Sequence, residues 1–469
     1  MDQPTIQELS STGNHQECLQ ACQQLLQSEP ENPLPWKYAG KSLLALGQFE
    51  KAQQYLIKAH QHDPKDPETI KDIGNIFNAL QNDAEAIRLY KAALSIEQNY
   101  APAINNLGLI AKRQGKLVAA EQLVKRACDL DQSFAPYHMN LGGIYKNLGK
   151  LDQALASTLK SLELKPNNPD ALMNLGMTYE TLNDLDSALE SYTESANLIA
   201  QRNESSLTSL ISASTILLQM NRAEDAKKAL SKALAIAVNE TTAPKQGSIK
   251  NKKNNNAYLS YLSKLIPEIP TTQNTEKPQI LHLGESHCLA FTNQTIEFEG
   301  EKCVIKPSLV KGAKAFHLSE ESKTNLQKIG FKKRLQQNLD DYKYIFLSFG
   351  EIDCREDEGI LSYCSKSGKA IQDVSKTTAT KYFEWTTTLL AKYKDKLVYF
   401  GTPAPLRIGP NHEESSESNK QRLLAITIFN STLASHCQES GAIFANVYEL
   451  TASKDGYNNN EWMIDARHL

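Results

Sequence analysis

A 34-residue period constrains this chain more than any other feature. Ala52, Ala86, Ala120, Ala154 and Ala188 stand 34 residues apart, and so do Gly40, Gly74, Gly108, Gly142 and Gly176. Three places after each glycine come Leu43, Phe77, Ala111, Tyr145 and Tyr179. A second small position recurs at Ala59, Ala93, Ala127, Ser161 and Ser195, and Pro30, Pro64 and Pro166 share one phase at helix exits. A period of this length marks stacked supersecondary units. The small residues let the two helices of a hairpin approach closely, and apolar residues at i, i+3 and i+7 fill the seam between them. One hairpin cannot cover its own apolar face, so neighbours must stack.

These units resemble tetratricopeptide repeats. Five good units run from 33 to 202. A weaker unit with Gly13 and Pro30 in phase precedes them. A shifted one with Ala226, Leu230 and Ala233 follows a four-residue slip near Ser205. The resemblance implies a right-handed superhelix whose groove holds a polypeptide partner. Within it, Asn106, Asn140 and Asn174 recur two places before the glycine, on the helix that lines the concave surface. An amide side chain both donates and accepts, so it can clamp a peptide backbone without reading its side chains. The pattern resembles the asparagine ladder in the superhelix of O-GlcNAc transferase. The alternative is that each asparagine caps or solvates its own helix, since the first two units carry Tyr38 and Asp72 there.

The chain has 469 residues, 40% hydrophobic and 22% charged, enough for more than one soluble core. A net charge of −3 gives no case for nucleic-acid or anionic-membrane binding. The basic stretch Lys245 to Lys253 reads as a solvated connector. No run of about 18 apolar residues predicts a membrane span. The polar start, without an apolar signal core, predicts a cytoplasmic protein. Eight cysteines form no CxxC pair and no metal-ligand spacing, so free thiols are expected, with no metal and no cofactor.

From 239 to 279 the composition turns to Asn, Lys, Thr and Pro, as in a flexible connector that includes one short amphipathic helix. The predicted organisation is therefore repeats over 1–236, a linker over 237–278 and a second domain over 279–469. In that domain, short β-rich runs at 279–283, 303–306, 344–349, 396–401 and 442–450 alternate with helical stretches at 377–396 and 419–440. The alternation predicts a three-layer α/β/α fold with a mainly parallel five-stranded sheet. Such sheets carry their chemistry at the carboxyl ends of the strands.

Those ends read GESHC (Gly284 to Cys288), a loop holding Gly312, and FGEIDCR with Gly350 to Arg355; Asp465 and His468 stand near the last residue given. In order and place they resemble the blocks of the SGNH/GDSL hydrolase superfamily. The resemblance implies a Ser286 nucleophile, with His468 as base oriented by Asp465. It implies an oxyanion site from the Ser286 and Gly312 amides. Ile352 stands where the family has an oxyanion-donating asparagine, and Arg355 is a candidate replacement. His287, Glu351 and Asp353 are expected to line a substrate. The implied activity is ester hydrolysis or O-acyl transfer on an acylated substrate, such as an acylated carbohydrate. The alternative is a non-catalytic interaction scaffold with a degenerate domain of this type.

Overall fold

The structure, a computed structural model, describes residues 5–202, 205–240, 249–270, 276–320, 325–355, 359–405 and 417–459. The chain divides into two compact units, Met1–Pro166 and Asn167–Leu469.

The first unit is a run of helical hairpins: α1 (Ile6–Ser11) with α2 (His15–Ser28), α3 (Pro33–Ala45) with α4 (Phe49–His62), α5 (Pro67–Ala79) with α6 (Asp83–Ile96), α7 (Ala101–Arg113) with α8 (Leu117–Leu130), and α9 (Ala135–Asn147) with α10 (Leu151–Leu164). Local chemistry sets each boundary. Asn32 and Asp66 accept from the first free backbone N–H groups of α3 and α5, and Pro33 and Pro67 follow at the first helical position. Each leading helix then stops at a left-handed residue: Gly47 (φ 73°), Gln81 (φ 59°), Gly115 (φ 75°) and Gly149 (φ 71°), again 34 apart. Close approach inside the hairpin explains the repeated glycine. A Cβ on Gly74 would lie 2.7 Å from the Tyr90 ring. The periodic alanines Ala52, Ala86, Ala120 and Ala154 are fully buried in the same seams.

The second unit opens with two more hairpins, α11 (Pro169–Leu182) with α12 (Leu185–Gln201), and α13 (Leu207–Gln219) with α14 (Ala223–Glu240). Their left-handed stops, Asn183 and Asn221, are 38 residues apart, which locates the four-residue slip. Within the expected linker, α15 (Ile249–Leu265) is helical. Its Leu259, Tyr261, Leu262 and Leu265 share a core with Leu207, Ile211, Leu217 and Leu218 of α13, Ala226 and Leu230 of α14, and Cys288, Leu289 and Leu309 beyond it. The connector is therefore a packed element over these residues.

The sheet has six strands: β1 (Gln279–Gly284), β2 (Thr295–Phe298), β3 (Glu301–Leu309), β4 (Tyr342–Ser348), β5 (Leu397–Phe400) and β6 (Ile443–Ala445). Their order is β2-β3-β1-β4-β5-β6, with β2 antiparallel at the edge and the other pairs parallel. The sheet is thus mixed rather than a five-stranded parallel one. Counted among themselves, the parallel strands run second, first, third, fourth, fifth, a doubly wound order. The expected strand over 442–450 is cut to three residues, because β5 offers β6 partners only at Val398, Tyr399 and Phe400. The chain then turns into α21 (Val447–Thr451).

Leu281, Leu283, Ile345, Leu347 and Tyr399 form one face. It is packed by α16 (Ala315–Ser319), α17 (Leu326–Arg334), α18 (Gly359–Ser367), α19 (Ile371–Leu389) and α20 (Glu417–Ser440). On the other face Ile280, Cys303, Ile305, Phe346 and Val398 pack with Phe291, Phe298, Tyr344 and Phe400. Among the described residues no α-helix joins that cluster, so the predicted third layer is not α-helical there. The reason is local: the crossover from β1 to β3 spans only 285–300, and a 3₁₀ turn and β2 consume it.

Candidate functional site

Gly284, the last residue of β1, pairs with Leu309 of β3 on one side and Ser348 of β4 on the other. Ser286, the loop with Gly312 and the segment Gly350–Arg355 therefore leave the sheet at one carboxyl edge. This edge holds the switch point in the strand order, between β1, whose connection leads to β3, and β4, whose connection leads to β5. A Cβ on Gly284 would lie 3.1 Å from the Cys288 Cβ, so the turn after β1 is tight. Ser286 opens a 3₁₀ turn, Ser286–Phe291, and is 6% exposed. Its backbone carbonyl accepts from the Tyr261 hydroxyl at 2.9 Å. Gly312 adopts φ 67°, a conformation glycine takes without strain. Asp465 and His468 lie outside the described residues.

The acidic residues around Ser286 divide by environment. Glu285 is buried, and its Oε1 accepts from the Gly350 N–H at 3.0 Å. Burial, then the nearby Glu351 and Asp353, hold its carboxyl well above the usual carboxylate range. It acts as a tie between the ends of β1 and β4, a role hidden in the sequence behind the serine beside it. Asp353, expected to line a substrate, is instead fully buried, and its two oxygens accept from the Ala315 and Phe316 N–H groups at 2.6 and 3.0 Å. It fastens the segment after β4 to the start of α16. Burial pushes its pKa up to about 7 despite those donors. Arg355, the candidate oxyanion donor, gives its Nε and terminal nitrogen to Glu351 at 3.2 and 2.7 Å. Its charge is met within its own segment.

Ligating atoms of Glu285, His287 and Glu351 lie within 4.8 Å of one another. Both carboxylates already serve protein donors, Gly350 and Arg355, so the group reads as an internal polar cluster. Burial pushes the Cys288 thiol up to about 12, which removes it as a nucleophile near neutral pH. All eight cysteines are free and buried.

The asparagines of the first unit make a second candidate site. The Asn106 amide donates to Asn75 Oδ1 at 2.8 Å, Asn105 to Asn106 Oδ1 at 3.1 Å, and Asn140 to Asn105 Oδ1 at 3.0 Å. Tyr90 also donates to Asn75, which donates to Asp72, the partner of Lys71. The chain of amides crosses three hairpins. Asn75 and Asn105 escaped the sequence reading because each lies one or three places off the repeated position; the Asn105–Asn106 doublet was the visible sign. Asn174 is half-buried on α11 in the second unit.

Tetratricopeptide family models match residues 9–71, 135–168 and 158–190. Residues 9–71 and 135–190 are tetratricopeptide repeats. Mouse Superkiller complex protein 3 is 25% identical over 96 residues, which are 20% of this chain and 6% of that protein's length. The chain therefore spans a small part of this relative. The Cut9 and Hcn1 hetero-tetramer structure aligns at 20% identity, covering 51% of this chain and 46% of that one, with a TM-score of 0.46. YrrB, described as a tetratricopeptide protein with an unusual peptide-binding site, aligns at 22% identity over 38% of this chain and 92% of its own, with a TM-score of 0.30. Among the described residues no helix is long and apolar enough to cross a membrane.

Proposed function

We propose that the repeats hold a polypeptide partner and that the sheet carries a serine acyl-transfer site centred on Ser286, working as an ester hydrolase or O-acyltransferase in the cytoplasm. The interaction half follows from the repeats, a scaffold suited to protein–protein contact. One observation carries the catalytic half: Ser286, Gly312 and the segment after β4 share one carboxyl edge of the sheet, the edge at which open α/β sheets bind their ligands. In this reading Ser286 Oγ attacks the acyl carbon, His468 accepts its proton and Asp465 orients the imidazole. The Ser286 and Gly312 amides receive the developing oxyanion. Glu285 and Asp353 set the backbone that carries these groups.

A second reading, an interaction scaffold with an inert sheet domain, is favoured by Arg355. With its guanidinium on Glu351, the donor expected to replace the missing asparagine is occupied. A fluorophosphonate probe separates the two, since only an activated serine reacts. Stoichiometric labelling, lost in Ser286→Ala, is the expected result. No labelling of the intact chain, together with no turnover on a panel of short-chain aryl esters, leaves the scaffold.

A further inference from the structure

Two side chains from helices that precede the sheet in sequence reach the backbone of the Ser286 edge, and a third meets a lysine side chain there. Tyr261 of α15, fully buried, donates its hydroxyl to the Ser286 carbonyl at 2.9 Å. Gln219, the last residue of α13, accepts at 3.0 Å from the N–H of Leu309, where β3 ends and the Gly312 loop begins. Glu180 of α11 is 4% exposed and faces Lys311, the neighbour of Gly312, at 3.5 Å. Glu180 is itself held: Tyr192 donates to its carboxylate at 2.6 Å, and the buried Arg334 donates to its backbone carbonyl at 3.3 Å. Cys288 and Leu289 of the turn after Ser286, with Leu309, share the apolar core of α13, α14 and α15. The turn bearing the serine and the loop bearing Gly312 are thus seated on helical elements that precede the sheet.

We infer that Tyr261 is a positioning residue for Ser286, and that the Glu180 and Gln219 contacts do the same for the Gly312 loop. The inference rests on Ser286 being the nucleophile. Ser286 follows a strand end and starts a tight turn, so the orientation of its peptide plane sets where Oγ points. The Tyr261 hydroxyl fixes that plane from the carbonyl side. Gln219 and Glu180 hold Leu309 and Lys311, which flank the segment whose Gly312 amide receives the oxyanion. Serine and oxyanion donor must agree to within about 0.5 Å, and a misplacement of about 1 Å costs on the order of 100-fold in rate. A hydroxyl bond to a carbonyl is well suited to that task, because it orients a dipole without adding charge to the site.

Tyr261→Phe in the full chain is the test, because it keeps the ring that fills the core and removes only the donor. Two quantities are measured: fluorophosphonate labelling of Ser286, resolved into its saturating rate constant and probe affinity, and amide hydrogen exchange over 284–291. The expected result is a labelling rate constant lower by about tenfold or more at unchanged probe affinity, with faster exchange in that segment and a thermal midpoint lowered by only a few degrees. Gln219→Met should reproduce the rate effect from the other side of the site, with faster exchange at Leu309. If the rate constant and the exchange over 284–291 both stay at wild-type values in Tyr261→Phe, the inference is overturned. If the intact wild-type chain does not label at all, the catalytic reading has failed. The positioning of a nucleophile then falls with it, and exchange separates the two failures: acceleration in Tyr261→Phe shows a tie that holds the turn without serving a nucleophile, and unchanged exchange shows that the tie itself carries nothing.

Discussion

His282 shows what burial does to a polar side chain beside a candidate site. Two places before Gly284 and next to a run of polar site residues, it invites a functional role. The fold buries it instead, with its ring 5.0 Å from that of Phe291 and 5.4 Å from that of Phe400, and with Nε2 2.8 Å from Ser348 Oγ. Burial, then the charge of His287, holds its pKa down to about 3. In the unfolded chain an imidazole takes its proton near pH 6.5. A base depressed in the folded state contributes stability that is complete above the unfolded value and is lost as pH falls towards the folded one. Between pH 6.5 and pH 5 that loss is about 2 kcal/mol, at about 1.4 kcal/mol per unit. Urea unfolding at those two pH values should show wild type losing this much more stability than His282→Leu. Equal losses in the two proteins would mean that the native imidazole is already protonated or hydrated. Ser286, by contrast, was legible as the residue after a strand, because QILHLG is an apolar run closed by glycine. The tie formed by Glu285 was not, since an acid beside a serine carries no sign that it will bond a backbone N–H 65 residues away.

Among elements, the hairpins were the most legible, because one packing constraint repeats. Every unit needs a small residue where its two helices meet, and the slip of four appears as the step from Asn183 to Asn221. Strand β2 was missed although its sign is present. Glu299 and Gly300 adopt φ 49° and 75° between Phe298 and Glu301, which pair directly, as in a two-residue primed turn. At four residues, TIEF is too short for its alternation to stand out. The asparagine chain belongs to this scale because it links α5, α7 and α9. Asn105 is its hub: 6% exposed, it donates to Asn106 and accepts from Asn140. Truncating it strands a donor and an acceptor in partly buried surroundings, at about 1–3 kcal/mol. Asn105→Ala should therefore lower the unfolding free energy by this order. Asn106→Ala and Asn140→Ala together should weaken capture of a polypeptide partner while helical circular dichroism is retained. Wild-type stability in Asn105→Ala would reduce the chain of amides to separate solvated side chains.

At the scale of the molecule, composition suggests a cut near residue 237 or 278, because the chain there turns polar and rich in Asn, Lys and Thr. Contacts divide the chain elsewhere, after Pro166. Composition misleads here because α15 hides its apolar side: Tyr258, Leu259, Tyr261, Leu262 and Leu265 make a narrow stripe after a stretch dominated by Lys and Asn. That stripe, with α13 and α14, closes over Cys288, Leu289 and Leu309. A fragment of residues 279–469 would open this core to water. It would also leave the Leu309 N–H without Gln219 and take Glu180 away from the fully buried Arg334. Exposing the apolar surface of Cys288, Leu289 and Leu309, and trading these hydrogen bonds for bonds to water, costs several kcal/mol, comparable to the whole stability of a domain. The fragment 167–469 keeps all of these contacts. We therefore expect 167–469 to unfold in one cooperative transition near the midpoint of the corresponding transition in the full chain. The fragment 279–469 should bind a hydrophobic dye, aggregate, or melt without a sharp transition. Calorimetry and dye binding on the two fragments decide this. A cooperative 279–469 with the same midpoint as 167–469 would show that the sheet closes its own core, and that α11 to α15 merely rest against it.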